Sequence, residues 1–303
     1  MRSLVALLAL AALVASSRVD AAPDVFDRVR HRYADSDGVR IHYATLGRGP
    51  LVVMIHGFPD FWYSWRDQMA GLARHYTVAA MDQRGYNLSD KPVGDEQYDL
   101  VRLVGDVAAV IRDMGRERAI VVGHDWGGAV AWTLAMLQPE LVERLVVLNL
   151  PHPGCMLREL RENPAQLAAS SYARTFQDTN VPYGTSAAVW GGLHEDPDVR
   201  ARYTEAMAQS DLAALMAYYK RNYPREPYAE IPFPQITVPV LVIHGLDDPF
   251  LLADGLNGTW RWIDGPLTLV TIPGASHFVQ WDASALVTKT LKQWLADARR
   301  GRR

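Results

Sequence analysis

The stretch RAIVVGHDWGG, residues 118–128, decides how the chain folds. Its first half is a short, continuous apolar run, the pattern of a strand buried on both faces of a sheet. From Gly127 to Leu137 the apolar spacing becomes helical. Between them Asp125 sits at the apex of a turn with small residues on both sides. Such a strand–turn–helix thrusts one side chain above the sheet edge, next to a helix N-terminus, and is read as a nucleophile elbow. The displayed group is usually a serine; here it is a carboxylate, already an anion and needing no deprotonation. Attack of a carboxylate on a carbonyl would give a reactive anhydride, whereas attack on a saturated electrophilic carbon gives an alkyl ester that water can later cleave. An Asp before a helix also serves as an N-cap, but capping gives no reason for glycines on both sides.

Outward from this turn, strand and helix alternate. Residues 39–47 and 50–57 read as strands, then 76–82, 118–123 and 144–150, with helical spacing near 62–75, 103–114 and 127–137. This predicts a doubly wound, mainly parallel α/β sheet, whose ligands sit at the carboxyl ends of the strands. The alternation stops at Pro151. Up to about Pro239 the chain is rich in Tyr, Ala and Pro, with helical spacing and no buried strand, which predicts an inserted helical lid over 151–237. Strands at 238–245 and 266–274 and an amphipathic helix at 283–298 then complete the core, so the core comprises 22–150 and 238–303.

With 303 residues, 49% hydrophobic and 21% charged, and Lys+Arg 31 against Asp+Glu 34, the chain is neither disordered nor a polyanion binder. The basic end ARRGRR reads as a solvated terminus rather than a nucleic-acid patch. At the other end, Arg2, the twelve apolar residues Leu4 to Ala15 and the polar stretch SSRVDAAP have the layout of a signal peptide. Twelve residues fall short of the roughly 20 that a helix needs to cross a bilayer. The expectation is cleavage after residue 21 and export to the periplasm or beyond, with no membrane span afterwards. Cys155 is the sole cysteine, so no internal disulfide can form. Asn87 and Asn257 lie in Asn-x-Ser/Thr sequons, which matter only in a host that glycosylates exported proteins.

Three further stretches agree with a catalytic elbow. HGFP, residues 56–59, ends a buried strand, and the backbone N–H groups of Phe58 and Trp126 are placed to form an oxyanion hole around a carbonyl oxygen of Asp125. GASHFVQWD, 274–282, puts His277 just after the last strand, in the final place of the nucleophile–acid–His order. HGLDDPF, 244–250, offers Asp247 and Asp248 as orienting partners for that imidazole, and spacing does not choose between them. Phe58, Trp62, Trp126 and Phe278, with His56 and Pro59 beside them, are expected to wall a largely hydrophobic substrate pocket.

With HGFPDFWYSWRDQ, DQRGYNLSDKP, GHDWGG, NLPHP, GLDD and GASHFVQWD all present, the chain resembles the α/β-hydrolase-fold epoxide hydrolases across residues 30–298. The resemblance implies a mostly parallel eight-stranded sheet flanked by helices, with an inserted helical cap, and it selects Asp248 as the acid. It also implies two cap tyrosines that hold the epoxide oxygen: Tyr172 in SYARTFQ and Tyr219 in MAYYKRN, with Tyr218 the neighbouring alternative. Asp125 would open the ring to an alkyl ester, and His277 would activate water to hydrolyse it to a vicinal diol. No metal or organic cofactor is implied. The partners are a small hydrophobic epoxide and water, not nucleic acid, and homo-oligomerisation stays open. HGxP and GHDWG are also similar to haloalkane dehalogenases, which carry Asn where this chain has Phe58. Fluoroacetate dehalogenases use arginines beside the elbow, where Trp126 and Ala129 stand. A binding protein without turnover would be expected to lack one of these residues.

Overall fold

The computed structural model describes residues 24–178 and 194–300. The expected signal segment, part of the lid and the last basic residues lie outside the described residues. Eight strands form one sheet: β1 Arg30–Ser36, β2 Val39–Gly47, β3 Leu51–Ile55, β4 Thr77–Met81, β5 Ala119–His124, β6 Val142–Leu148, β7 Val240–Gly245 and β8 Leu267–Ile272. Their order is β1-β2-β4-β3-β5-β6-β7-β8. The β1–β2 and β2–β4 pairs are antiparallel, and all later neighbours are parallel.

Alternation within the central strands builds two cores. Val53, Ile55, Val121, Val147 and Val242 face the helices Leu100–Asp113 and Trp126–Leu137, while Val52, Met54, Val122, Val146 and Ile243 face Arg66–Leu72 and the C-terminal helix Ser284–Arg300. Helix Leu100–Asp113 presents Leu103, Val104, Val107, Val110 and Ile111 at three- and four-residue spacing, all buried. Each such side chain contributes about 1.5–3 kcal/mol of burial. β1 was not among the strands expected from the sequence. Four of its seven residues, starting with Arg30, are exposed in succession, so this edge strand carries no apolar alternation to read. The helical expectation at 62–75 resolves into a 3-10 turn, Trp62–Trp65, followed by the helix Arg66–Leu72.

Between β6 and β7 the described chain forms the helices Pro153–Glu162, Pro164–Ala169, Ser171–Gln177, Pro197–Gln209 and Leu212–Asn222, and no strand. Leu212–Asn222 is anchored by Tyr218, whose hydroxyl donates to the Arg84 carbonyl at 2.8 Å. Arg84 is itself clamped by Asp106 through two bonds of 2.7 and 2.5 Å. That anchorage fixes the rotation of the helix, leaving the next residue, Tyr219, to face the sheet edge. Strand register collects the remaining site residues: Ile55 pairs with Gly123, His124 with Leu148, Leu148 with Ile243 and Gly245 with Ile272. The loops after β3, β5, β6, β7 and β8 therefore open side by side at one edge.

Candidate active site

Asp125 has φ 50° and ψ −120°, a conformation that L-residues adopt only when the surroundings force it. The forcing is visible in its flanking glycines. A Cβ at Gly123 would lie 2.1 Å from the Gly127 carbonyl oxygen, and one at Gly127 would lie 2.1 Å from that of Ile55. Any side chain at either position would push strand and helix apart. The Asp125 side chain makes no capping hydrogen bond to its helix, so the N-cap reading fails. Instead Oδ1 accepts the Phe58 N–H at 2.9 Å, and Oδ2 lies 3.6 Å from His277 Nε2. The Trp126 N–H, expected to join Phe58 at this carboxylate, makes no hydrogen bond to it; as the first residue of the helix it has no intrahelical acceptor either.

His277 Nδ1 is 2.8 Å from Asp248 Oδ2. Of the two carboxylates that spacing left open, Asp248 is buried against the imidazole and Asp247 is exposed. Asp248 is held from every side: Oδ1 accepts the N–H groups of Phe250 and Leu251 at 2.8 and 3.0 Å, and Oδ2 accepts Asn149 Nδ2 at 2.8 Å. Burial disfavours its charge, but His277, Asn149 and the Leu251 N–H outweigh burial and hold its pKa at about 2. Burial opposes charge on Asp125 too, but His277 and the Phe58 N–H outweigh it and hold this carboxyl below the usual range. Burial likewise opposes charge on His277, yet two flanking carboxylates raise its pKa well above an ordinary imidazole's.

Three supporting residues were not singled out in the sequence. Asn149, at φ 42°, joins Asp248 to the strand ends by donating to the Ser276 carbonyl at 3.2 Å and accepting the Gly245 N–H at 3.2 Å. Its signal was available in NLPHP, an asparagine directly after a buried strand. His124 donates Nε2–H to the His277 carbonyl at 2.9 Å, and burial lowers its pKa to about 4, which keeps it neutral. Asp60 is buried and accepts the Tyr203 hydroxyl at 2.7 Å; burial lifts its pKa to about 8, so it is protonated at neutral pH.

A cavity of about 420 Å³ lies over the elbow, and among its described lining residues are Asp125, Trp126, Tyr172 and Tyr219. The two phenol rings meet edge to face with centroids 6.0 Å apart. Burial raises both pKa values well above 10, so both hydroxyls keep their protons. Tyr218, the alternative, is committed to Arg84 and does not line the cavity. The Phe58 ring packs edge-on against Phe176 and Tyr219, where core meets cap.

The rest of the expected pocket wall lies elsewhere. Trp62 packs on the opposite face of the sheet, against Phe26 and His31, because the chain has turned away after the Phe58–Pro59 loop. Pro59 is buried within that loop. His56 is a strut: Nδ1–H donates to the Gly57 carbonyl at 2.7 Å and Nε2 accepts the Gln83 N–H at 3.1 Å. Phe278 stacks on Trp281 with centroids 4.4 Å apart and touches the His277 ring from the side. None of the four is among the described lining residues, which instead include Ala129, Leu150, Met156, Tyr223 and Leu251.

A parallel sheet with a strained carboxylate elbow, an Asp–His pair and a cap closing a largely apolar cavity defines a hydrolase of the α/β-hydrolase fold. The family described as alpha/beta hydrolase fold matches residues 50–284. The chain is 37% identical over 285 residues to the AB hydrolase superfamily protein YfhM of Bacillus subtilis, covering 89% of this chain and 99% of that one. It is 34% identical to Epoxide hydrolase 1 of Caenorhabditis elegans, covering 90% and 72%. The crystal structure of Bacillus megaterium epoxide hydrolase in complex with an inhibitor superimposes with a TM-score of 0.82 at 30% identity, covering 88% of this chain and all of the other. The chain belongs to the epoxide hydrolases of the α/β-hydrolase fold.

Proposed function

We propose that the protein hydrolyses small hydrophobic epoxides to vicinal diols through an alkyl ester on Asp125, and that it does so as an exported enzyme. One observation carries the chemistry: Asp125 and two protonated phenols share a single apolar cavity. Tyr172 and Tyr219 hold the epoxide oxygen while an Asp125 oxygen attacks a ring carbon from the opposite side. The C–O bond breaks, and a phenol proton passes to the leaving oxygen, which otherwise departs as a strongly basic alkoxide.

Ester formation removes the charge on Asp125. One of the two carboxylates that raise the His277 pKa is thereby lost, and the imidazolium gives up its proton, which restores the phenol deprotonated in the first step. Neutral His277, oriented by Asp248, then takes a proton from water as it attacks the ester carbonyl. The oxyanion is stabilised by the N–H groups of Phe58 and Trp126, and its collapse breaks the bond from the acyl carbon to the substrate oxygen, which takes the proton back from His277 and leaves as the diol while the Asp125 carboxylate is restored. Export rests on the signal-like N-terminus alone.

The test is a single turnover of an aryl or alkyl epoxide in heavy-oxygen water with enzyme in excess. Because the first oxygen delivered comes from Asp125, the first diol should be unlabelled and the label should appear in the Asp125 carboxylate. Labelled diol from the first turnover, with an unlabelled protein, would mean direct attack by water and would overturn the ester route. Fractionating the producing cells tests export: recovery of the full-length chain in the cytoplasm would refute it.

A further inference from the structure

In the steps above Trp126 acts through its backbone, and its indole has no task. Yet the indole Nε1 is buried and has no hydrogen-bond partner of good geometry among the described residues. Buried donors without partners are uncommon and call for a reason. The ring stands edge to face with Tyr219, centroids 5.0 Å apart and planes at 88°. Burial and the charge of Asp125 push the Tyr219 pKa up, and the indole beside the phenol works against that rise.

We propose that the Trp126 indole N–H is a positioning group for Tyr219, donating to the phenol oxygen so that the phenol's own proton points at the epoxide. The inference rests on the epoxide-opening role given to Tyr219. An indole N–H is a donor only and cannot accept a proton from Tyr219. Tyr218 provides the contrast, since its proton is spent on the Arg84 carbonyl. When the epoxide C–O bond breaks and the Tyr219 proton moves to the leaving oxygen, negative charge develops on the phenol oxygen. An N–H···O bond strengthens as its acceptor becomes charged, so the indole assists the transition state more than the ground state. One residue would thus serve both half-reactions with different atoms: the indole for ring opening and the backbone N–H for ester hydrolysis.

Replacing Trp126 with benzothienylalanine keeps the bicyclic shape and the backbone N–H and removes only the indole N–H. Single-turnover acid quench then separates ester formation from ester decay. The expected result is ester formation slowed roughly tenfold, in line with loss of a charge-assisted hydrogen bond, with ester decay unchanged. In a Tyr219→Phe background the same replacement should have no further effect on ester formation. An unchanged rate in the parent background, or an equal loss with and without the Tyr219 hydroxyl, would overturn the proposal. Trp126→Phe, which also keeps the backbone N–H, supplies the same comparison should the analogue fail to fold. If the unaltered protein forms neither ester nor diol, the epoxide reading itself fails; if it reacts and the analogue keeps pace, only the role of the indole fails.

Discussion

Asn149→Ala separates the two half-reactions by removing a residue that touches neither substrate nor nucleophile. The Asn149 side chain makes three hydrogen bonds: Nδ2 to Asp248 Oδ2 at 2.8 Å, Nδ2 to the Ser276 carbonyl at 3.2 Å, and Oδ1 from the Gly245 N–H at 3.2 Å. A bond to a carboxylate is worth about 1.5–3 kcal/mol, and each of the other two about 0.5–1.5 kcal/mol. Alanine at φ 42° adds about 1 kcal/mol of backbone strain. The sum predicts a loss of about 3.5–7 kcal/mol in stability, read from urea unfolding of both proteins. Only the carboxylate bond acts on catalysis, because it holds the charge and orientation of Asp248 behind His277. Converted at about 1.4 kcal/mol per factor of ten, its loss slows ester hydrolysis by roughly 10- to 150-fold. Ester formation, which needs neither Asp248 nor the base form of His277, should keep its rate in acid-quench experiments on the folded fraction. Equal slowing of both steps, or a stability loss below about 1 kcal/mol, would refute this division of labour.

Other consequences are as direct. Asp125→Asn should reduce diol formation by at least about a thousandfold in steady-state assays while leaving the protein folded by circular dichroism, since the amide is a poor nucleophile. Tyr172→Phe or Tyr219→Phe should each slow ester formation by about a hundredfold, within the usual range for general acids, with ester decay unaffected in the same single-turnover traces. Ester hydrolysis should fall as pH drops, because His277 must be neutral. Its acid limb should lie below the pKa that nuclear magnetic resonance reports for His277 in the resting protein, because the ester no longer carries the Asp125 charge; coincidence of the two would contradict the coupling. Gly127→Ala should cost about 4 kcal/mol or more in denaturant unfolding, because its Cβ meets the Ile55 and His56 carbonyl oxygens at 2.1 and 2.5 Å.

What was legible in the sequence followed burial. β3 and β5 are hidden on both faces and read as apolar runs, and Gly123-His124-Asp125-Trp126-Gly127 between strand and helix carried its own geometric reason. β1 was not legible, because an exposed edge strand of charged residues has no period to detect. Pocket residues were the weakest reading. Trp62 and His56 are as aromatic and as close in sequence to Phe58 as any wall residue, but which side of a sheet a loop returns to is a tertiary outcome. The choice between Asp247 and Asp248 had the same character: neighbouring residues in a turn point in opposite directions, and only the packed position of His277 tells which one faces inward. Asn149 escaped notice because its role is to bond a residue 99 positions away.

The central claim is that the Asp125 carboxylate becomes covalently joined to substrate. His277→Ala removes the base needed for the second step and leaves the first intact, so the variant incubated with an epoxide should gain the mass of one substrate molecule. Peptide mapping should place that mass on the segment containing Asp125. A variant that binds the epoxide yet gains no mass, or carries it on a residue other than Asp125, would contradict the account.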